Sequence, residues 1–446
     1  MSVGSRFRRV QVKGMREGQR YRSFTNARRS RLSIAAGSLM PDVSMFDARR
    51  QSGLDRLSDF LPRAGRQYAR ERNHDHGPGR HDNVSGLSPW LRYRLITEQE
   101  VAAAVLAQHS ASDAEKFIQE VCWRTYWKGW LEMRPRVWQD FLRRRDQARI
   151  QLAGHRGLSQ AEAGQTGIDG FDQWAKELVE TGYLHNHARM WFASIWIFTL
   201  KLPWVLGADF FLRHLLDADP ASNTLSWRWV AGLQTIGKTY LASPDNIHKF
   251  TNGRFRPRGL ASEAMALDVG DGAPPPQPLL PASEPGSVSL DGAVLLVHGE
   301  DLHPESLFAS ASQPAGVLLA EALADWPWGT KARDFLRAGL ADTDQRLTEW
   351  LSLSPARVAL DQPDAVISQL EAAGATRLVT PYAPVGPTAD ALDALEQAMR
   401  RANLQLLRVR RLWDEAAWPQ ATKGFFPFKK QIPGLLRLTI GHHGGA

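Results

Sequence analysis

Cysteine is almost missing from this chain: Cys122 is the single one among 446 residues. One thiol excludes a disulfide framework and an all-cysteine iron–sulfur or zinc site within the chain, and it suits a reducing compartment. Long apolar runs are missing too. The longest candidate, Met190 to Leu200, is too short to cross a bilayer and is followed by Lys201. No secretory signal is visible. No GxGxxG or Walker pattern occurs, so no nucleotide loop of those kinds is expected. Acids are scarce in residues 1–45, where Arg and Lys recur from Arg6 to Arg31. This basic leader is expected to be disordered, or to be upstream sequence ahead of a start at Met40 or Met45. A nucleic-acid-binding arm and an organelle transit peptide are the alternatives.

Tryptophan, by contrast, is abundant, with 16 in the chain, ten of them between Trp123 and Trp229. Most are expected to fill a helical core. The net charge of +8 favours a polyanionic partner such as nucleic acid. From about Asp47 the pattern is helical. LDRLSDFL precedes Pro62, and Tyr68 to Asn83 reads as a polar loop in which His74, His76 and His81 are solvated. Ser88-Pro89 starts a helix, and Thr97 with Glu100 forms a capping box. Ala114 to Leu142 reads as one long helix with Glu120, Trp123, Arg124 and Trp127 on a shared face. Arg143 to Gln165 reads as a loop. Helices are expected again in Gly167–Leu178, Asn186–Leu200 and Phe210–Asp217.

Composition then changes. A Pro/Gly/Ser-rich stretch, residues 266–291, reads as a linker. Beyond it AVLLVHG, GVLLA, RVAL, RLVTP and LQLLRV read as strands, with helical segments Lys331–Leu351, Asp364–Ala373 and Ala389–Ala402 among them. That alternation predicts a five-stranded parallel, doubly wound, Rossmann-like sheet. The expected organisation is a leader (1–45), an all-α domain (46–265), the linker (266–291) and an α/β domain (292–446).

The VSGLSP segment, the EVCWRTYW helix, TGID with Asp172, HNHARM, LLDAD followed by Asn223, and SWRWVAG occur in this order. Together they resemble the FAD-binding domain of the DNA photolyase/cryptochrome family, over roughly Asp47 to Phe255. The α/β part is similar to the family's antenna domain: LVHGEDLHPESL is similar to its first strand and loop. WPQATKGFFPFKK is similar to the segment that leaves that domain. The family places the α/β domain first, so the resemblance implies a circular permutation joined through Gly270–Ser289.

The resemblance implies FAD and, in the α/β domain, a second chromophore (pterin or deazaflavin) or none. By position, Tyr68, Ser85, Leu87 and Ser88 would hold the diphosphate, and Phe117 and Arg124 would flank the cofactor. Arg189 and Asp217 would pair beside the ring, with Asp219 and Asn186 near it. Asn223 would face the flavin N5. Glu120, Arg72, Trp123, His187, Met190 and Trp229 would meet the lesion or DNA. Trp227 and then Trp204 would carry electrons, with Trp174, Trp191 or Trp196 as other exits. The diphosphate loop has Val84 and Gly86 where the family often has Thr and Arg, and Arg92 or Arg94 could substitute.

The activity implied is a blue-light-driven lyase that splits cyclobutane pyrimidine dimers by electron transfer from reduced flavin. Glu120 and Asn223 would be its catalytic residues. A blue-light photoreceptor without repair activity is the alternative. The expected partner is UV-damaged DNA, with no membrane and no metal. A monomer in the cytoplasm, nucleoid-associated when on DNA, is expected.

Overall fold

A computed structural model describes residues 46–267, 272–308, 312–324 and 329–441. The basic leader lies outside the described residues. The first part is helical: α1 (Arg50–Phe60), α2 (Arg66–Glu71), α3 (Ser88–Arg92), α4 (Glu98–Leu106), α5 (Ala111–Glu132), α6 (Arg136–Gln151), α7 (Arg156–Glu162), α8 (Phe171–Thr181), α9 (Asn186–Ser194), α10 (Trp204–His214), α11 (Pro220–Val230) and α12 (Pro244–Phe250). Thr97 and Glu100 form the expected capping box at α4. Ser110 caps α5 by accepting from the Asp113 amide at 3.1 Å. Helix α5 is the central element, packed on α2, α4 and α11.

Three local expectations fail for physical reasons. The predicted helix Ala114–Leu142 is two helices, because Pro135 cannot donate into a continuing ladder and starts α6 instead. The predicted loop Arg143–Gln165 is largely α6 and α7. In the α6 part of that stretch Ala148 is buried, and Arg143, Arg144, Arg145 and Arg149 mask its helical signal. The segment Tyr68–Asn83 is not a solvated loop. It begins inside α2 and is pinned by Asp75, whose carboxylate accepts from Trp174 Nε1 at 3.1 Å and pairs with Arg254 at 2.9 Å. His81 is buried against Glu177 at 3.2 Å.

The second part holds a five-stranded, all-parallel sheet: β1 (Val294–Val297), β2 (Gly316–Ala320), β3 (Ala356–Val358), β4 (Arg377–Pro381) and β5 (Gln405–Val409), in the order β3-β2-β1-β4-β5. Side chains alternate between its faces. Val294, Leu296, Leu318 and Leu378 pack under α14 (Pro363–Ala372) and α15 (Pro387–Arg401). Leu295, Val297, Leu319 and Val379 face α13 (Thr330–Leu351) and join one core with the helical part. The described residues therefore form one compact unit.

After β5 the chain returns to α5. Helices α16 (Leu412–Ala417), α17 (Phe425–Lys429) and α18 (Ile432–Ile440) lie against α5 and α4. The close approach needs Gly129, where a Cβ would sit 2.7 Å from Trp418 Cα. The Pro-rich stretch is surface-exposed for much of its length but tied down. Arg134 Nε donates to the Pro274 carbonyl at 3.0 Å, and the Ser283 amide donates to the Arg408 carbonyl at 2.8 Å, beside β5.

Candidate functional site

Helices α10 and α11 are joined by a short turn that presents two carboxylates. The Leu216 amide donates to the Gly182 carbonyl at 2.9 Å, fixing the turn. Asp217 pairs with Arg189 of α9 at 3.2 Å, and Arg189 is held by its Nε donation to the Leu184 carbonyl at 2.8 Å. Asp219 is the N-cap of α11, accepting from the Ser222 amide at 2.7 Å, with Pro220 in the first turn. Three cations surround Asp219: Arg124 at 3.1 Å, Lys128 at 3.7 Å and Arg92 at 3.9 Å.

Burial works to raise the pKa of both carboxyls. For Asp219, Lys128, Arg124 and Arg92 outweigh burial and hold it well below the usual range. For Asp217, Arg189, Arg124 and a hydrogen bond from Ser88 do the same. Both stay ionised. Burial lowers the pKa of Lys128, whose Nζ has no hydrogen-bond partner. The cluster thus holds more cations than carboxylates and suits an anionic ligand.

The first turn of α11 offers unmet polar groups. Asn223 is oriented by Nδ2 donation to the Ala208 carbonyl at 2.8 Å, which leaves Oδ1 free to accept. Ser222 Oγ and Thr224 Oγ1 are buried without partners. Such groups cost about 1–3 kcal/mol each unless a ligand or water completes them.

A second wall is aromatic. Tyr68 of α2 meets Phe117 of α5 edge-on at 5.1 Å. Arg72 pairs with Glu120 at a half-exposed position. Burial raises the Glu120 pKa, and Arg72 opposes it. Trp123 is stacked face to face on Phe425 of α17, with ring centroids 3.6 Å apart and planes 11° from parallel. Trp229 stacks on Tyr240 at 5.7 Å. His187 is buried, bonded through Nδ1 to the Asn73 carbonyl at 2.9 Å and stacked on Trp191 at 4.2 Å. Burial lowers its pKa, so it carries no charge for a phosphate at neutral pH. Met190 is half-buried and Asn186 is exposed on the first turn of α9.

Trp227 is buried between Phe211 at 5.1 Å and Trp196 at 6.3 Å. Gly207 admits it: a Cβ there would lie 2.3 Å from Trp227 Cζ-edge atom Cη2. Trp204 meets Phe141 at 5.8 Å, and Trp196 is in ring contact with Trp227.

Residues 117–252, which contain α5, the carboxylate turn and α11, match the family model described as the FAD binding domain of DNA photolyase. This helical region is therefore similar to the FAD-binding domain of the DNA photolyase/cryptochrome family. A deoxyribodipyrimidine photo-lyase of Agrobacterium fabrum is 34% identical over 189 residues, 40% of this chain and 37% of that one. One of Streptomyces griseus is 32% identical over 169 residues, 37% of this chain and 35% of that one. A solved class III photolyase from Agrobacterium tumefaciens is 25% identical, with a TM-score of 0.37, covering 48% of this chain and 46% of its own. The chain spans little more than a third of the length of the curated relatives it matches.

FAD is the cofactor of this photolyase-type domain, and the residues present fit it. The cation-rich cluster, the free Asn223 Oδ1 and the unpartnered α11 hydroxyls offer the charge and hydrogen bonds that a polar ring system needs. Ser88, Arg124, Arg189, Asp217, Asp219 and Asn223 come together here. Lys128 was not foreseen as part of it, and Arg92 was expected only as a substitute at the diphosphate loop. Lys128 could have been found, since it lies one turn beyond Arg124 on α5.

Arg92 and Arg94 do not replace the missing loop arginine. Both are fully buried. Arg92 forks onto Glu300 at 2.5 and 2.8 Å, and Arg94 reaches Asp414 at 2.5 Å. Glu300 follows β1, at the carboxyl ends of the strands, where a parallel sheet of this order usually takes a ligand. Helical-part side chains occupy its β1–β4 side, and a small cavity lined by His298, Glu321 and Leu336 is left at the ends of β1 and β2. Glu132 accepts from Tyr382 Oη at 2.8 Å and the Val385 amide at 2.5 Å, and Pro220 packs against Gly386.

Among the described residues, no helix is long and apolar enough to cross a membrane, and no cluster of three or more metal-ligating side chains occurs.

Proposed function

We propose that this chain is a light-driven DNA repair lyase that splits cyclobutane pyrimidine dimers. The observation that carries the reading is the single site formed by Asn223, Arg124, Asp217 and Asp219 beside the Arg72–Glu120 pair, inside the matched region. The chemistry that FAD supplies when bound is light-driven donation of one electron. The chain's own residues orient and stabilise. Arg124, Lys128 and Arg92 supply fixed positive charge that favours an electron-rich ring system. Asn223 is held by Ala208 so that its amide oxygen accepts in one direction. Glu120, held by Arg72, can hydrogen-bond a pyrimidine and stabilise its radical anion. Trp229 and Met190 would line the base side. UV-damaged DNA, bound with the dimer out of the stack, is the substrate in this reading.

A second reading, a blue-light receptor without repair, is favoured by one observation: Phe425 covers one face of Trp123. Replacing Phe425 with Ala separates the two. If the dimer must displace Phe425, Phe425→Ala raises affinity for dimer-containing single strands and speeds their repair. Repair absent in both proteins, with flavin bound and photoreduced, supports the receptor.

The reversed domain order is read here as a circular permutation. It is supported by the run of the chain from the helical part through the tethered 272–291 stretch into β1. The β1–β4 side of the crevice, occupied by Arg92, Glu132 and Pro220, supports an α/β part that docks the flavin site and holds no second chromophore on that side.

A further inference from the structure

We propose that Arg56 binds the phosphates of the flavin dinucleotide, in the place left open by the absent side chain of Gly86. The proposal rests on the FAD reading of the site.

Helix α1 is pressed onto α3 at Gly53, where a Cβ would lie 2.8 Å from Trp90 Cδ1. Trp90 returns the contact by donating Nε1 to the Asp47 and Arg49 carbonyls at 2.9 and 3.1 Å. Residue 56 lies three positions on, so its side chain leaves α1 on the same side. It reaches the 84–88 turn, and its Nε donates to the Ser85 carbonyl at 2.7 Å. The next residue, Gly86, has φ +65°, and a Cβ there would lie 2.6 Å from Arg56 Nη2. The guanidinium therefore occupies the space into which a side chain at 86 would project.

Arg56 forms no ion pair with a carboxylate among the described residues, and its single hydrogen bond uses Nε. The two terminal nitrogens of this half-buried side chain, against Gly86, remain to donate. A planar fork with an anchored Nε and free terminal N–H groups suits phosphate oxygens. It also restores the positive charge that the 84–88 turn lacks in its own residues.

The test uses flavin-free full-length protein titrated with FAD and with riboflavin, which has no phosphate, followed by flavin fluorescence. Arg56→Ala is expected to weaken FAD binding about ten- to a hundredfold, to leave riboflavin binding unchanged, and to leave the melting temperature of the flavin-free protein unchanged. Arg56→Lys is expected to recover part of the loss, keeping the charge without the fork. The salt dependence of FAD affinity should be shallower for Arg56→Ala than for wild type. Equal losses for FAD and riboflavin, a lowered melting temperature, or equal salt slopes would make Arg56 a structural tie on Ser85 and overturn the proposal. Unchanged FAD affinity would also overturn it. A wild-type protein that binds neither flavin would instead overturn the FAD reading, and the proposal with it.

Discussion

Removing Glu300 tests how the two parts of the chain are held together. Arg92 is 0% exposed and Glu300 5% exposed, and they share two hydrogen bonds of 2.5 and 2.8 Å. Without Glu300 the guanidinium keeps the Ala218 carbonyl at 3.2 Å and a distant Asp219 at 3.9 Å. A buried charge stripped of its partner costs about 3–5 kcal/mol, a large share of the roughly 5–15 kcal/mol that typically holds a protein folded. Glu300→Ala should therefore lower the unfolding free energy of the flavin-free full-length protein by that amount, read from urea titration by tryptophan fluorescence and circular dichroism together. The double variant Arg92→Met/Glu300→Leu removes both charges and should recover more than half of the loss. Asp219 would still keep Arg124 and Lys128. Because the pair is buried, 0.5 M salt (about a 4 Å screening length) should change the cost little. A single variant costing under about 1 kcal/mol, the value of an exposed pair, would refute the reasoning. So would a double variant no more stable than the single one.

Glu132 offers a pH signature. Burial pushes its carboxyl up to about 7, so its protonated form stabilises the fold fully below the ordinary carboxyl range, and that contribution is lost as pH rises through about 7. Glu132→Gln should flatten the stability curve between pH 5 and 8, and an unchanged curve would assign the dependence elsewhere. Trp196→Phe should slow flavin photoreduction more than Trp204→Phe, since Trp196 is in ring contact with Trp227; the reverse order in a stopped-light absorbance assay would make Trp204 the second carrier. Purified protein should absorb as flavin alone, because helical-part side chains occupy the β1–β4 side of the strand-end crevice. A separate chromophore band retained after gel filtration would contradict that.

The sheet was readable because its signal is local. Five short apolar runs, spaced by helical segments, correspond to five parallel strands. The site was readable where its residues lie in one stretch, as Asp217, Asp219 and Asn223 do. It was not readable where partners are far apart in sequence. Arg92 and Glu300 are separated by 208 residues, and nothing near either one names the other. The stacking of Trp123 on Phe425 was hidden for the same reason. Arg56 was overlooked because it lies on an ordinary amphipathic helix, and only the positive φ of Gly86 and the close approach at Gly53 reveal what it faces. The second half of α6 was not readable as helix, because Arg143, Arg144, Arg145 and Arg149 surround its buried Ala148 and leave no apolar stripe.

The most direct measurement is dimer repair under blue light. Full-length protein loaded with FAD and reduced is mixed with a thymine-dimer-containing single strand, and intact pyrimidines are counted with and without illumination. Light-dependent recovery that falls when Glu120 is replaced by Ala is the predicted result. Flavin bound and reduced, with no dimer lost in the light, would contradict the lyase reading.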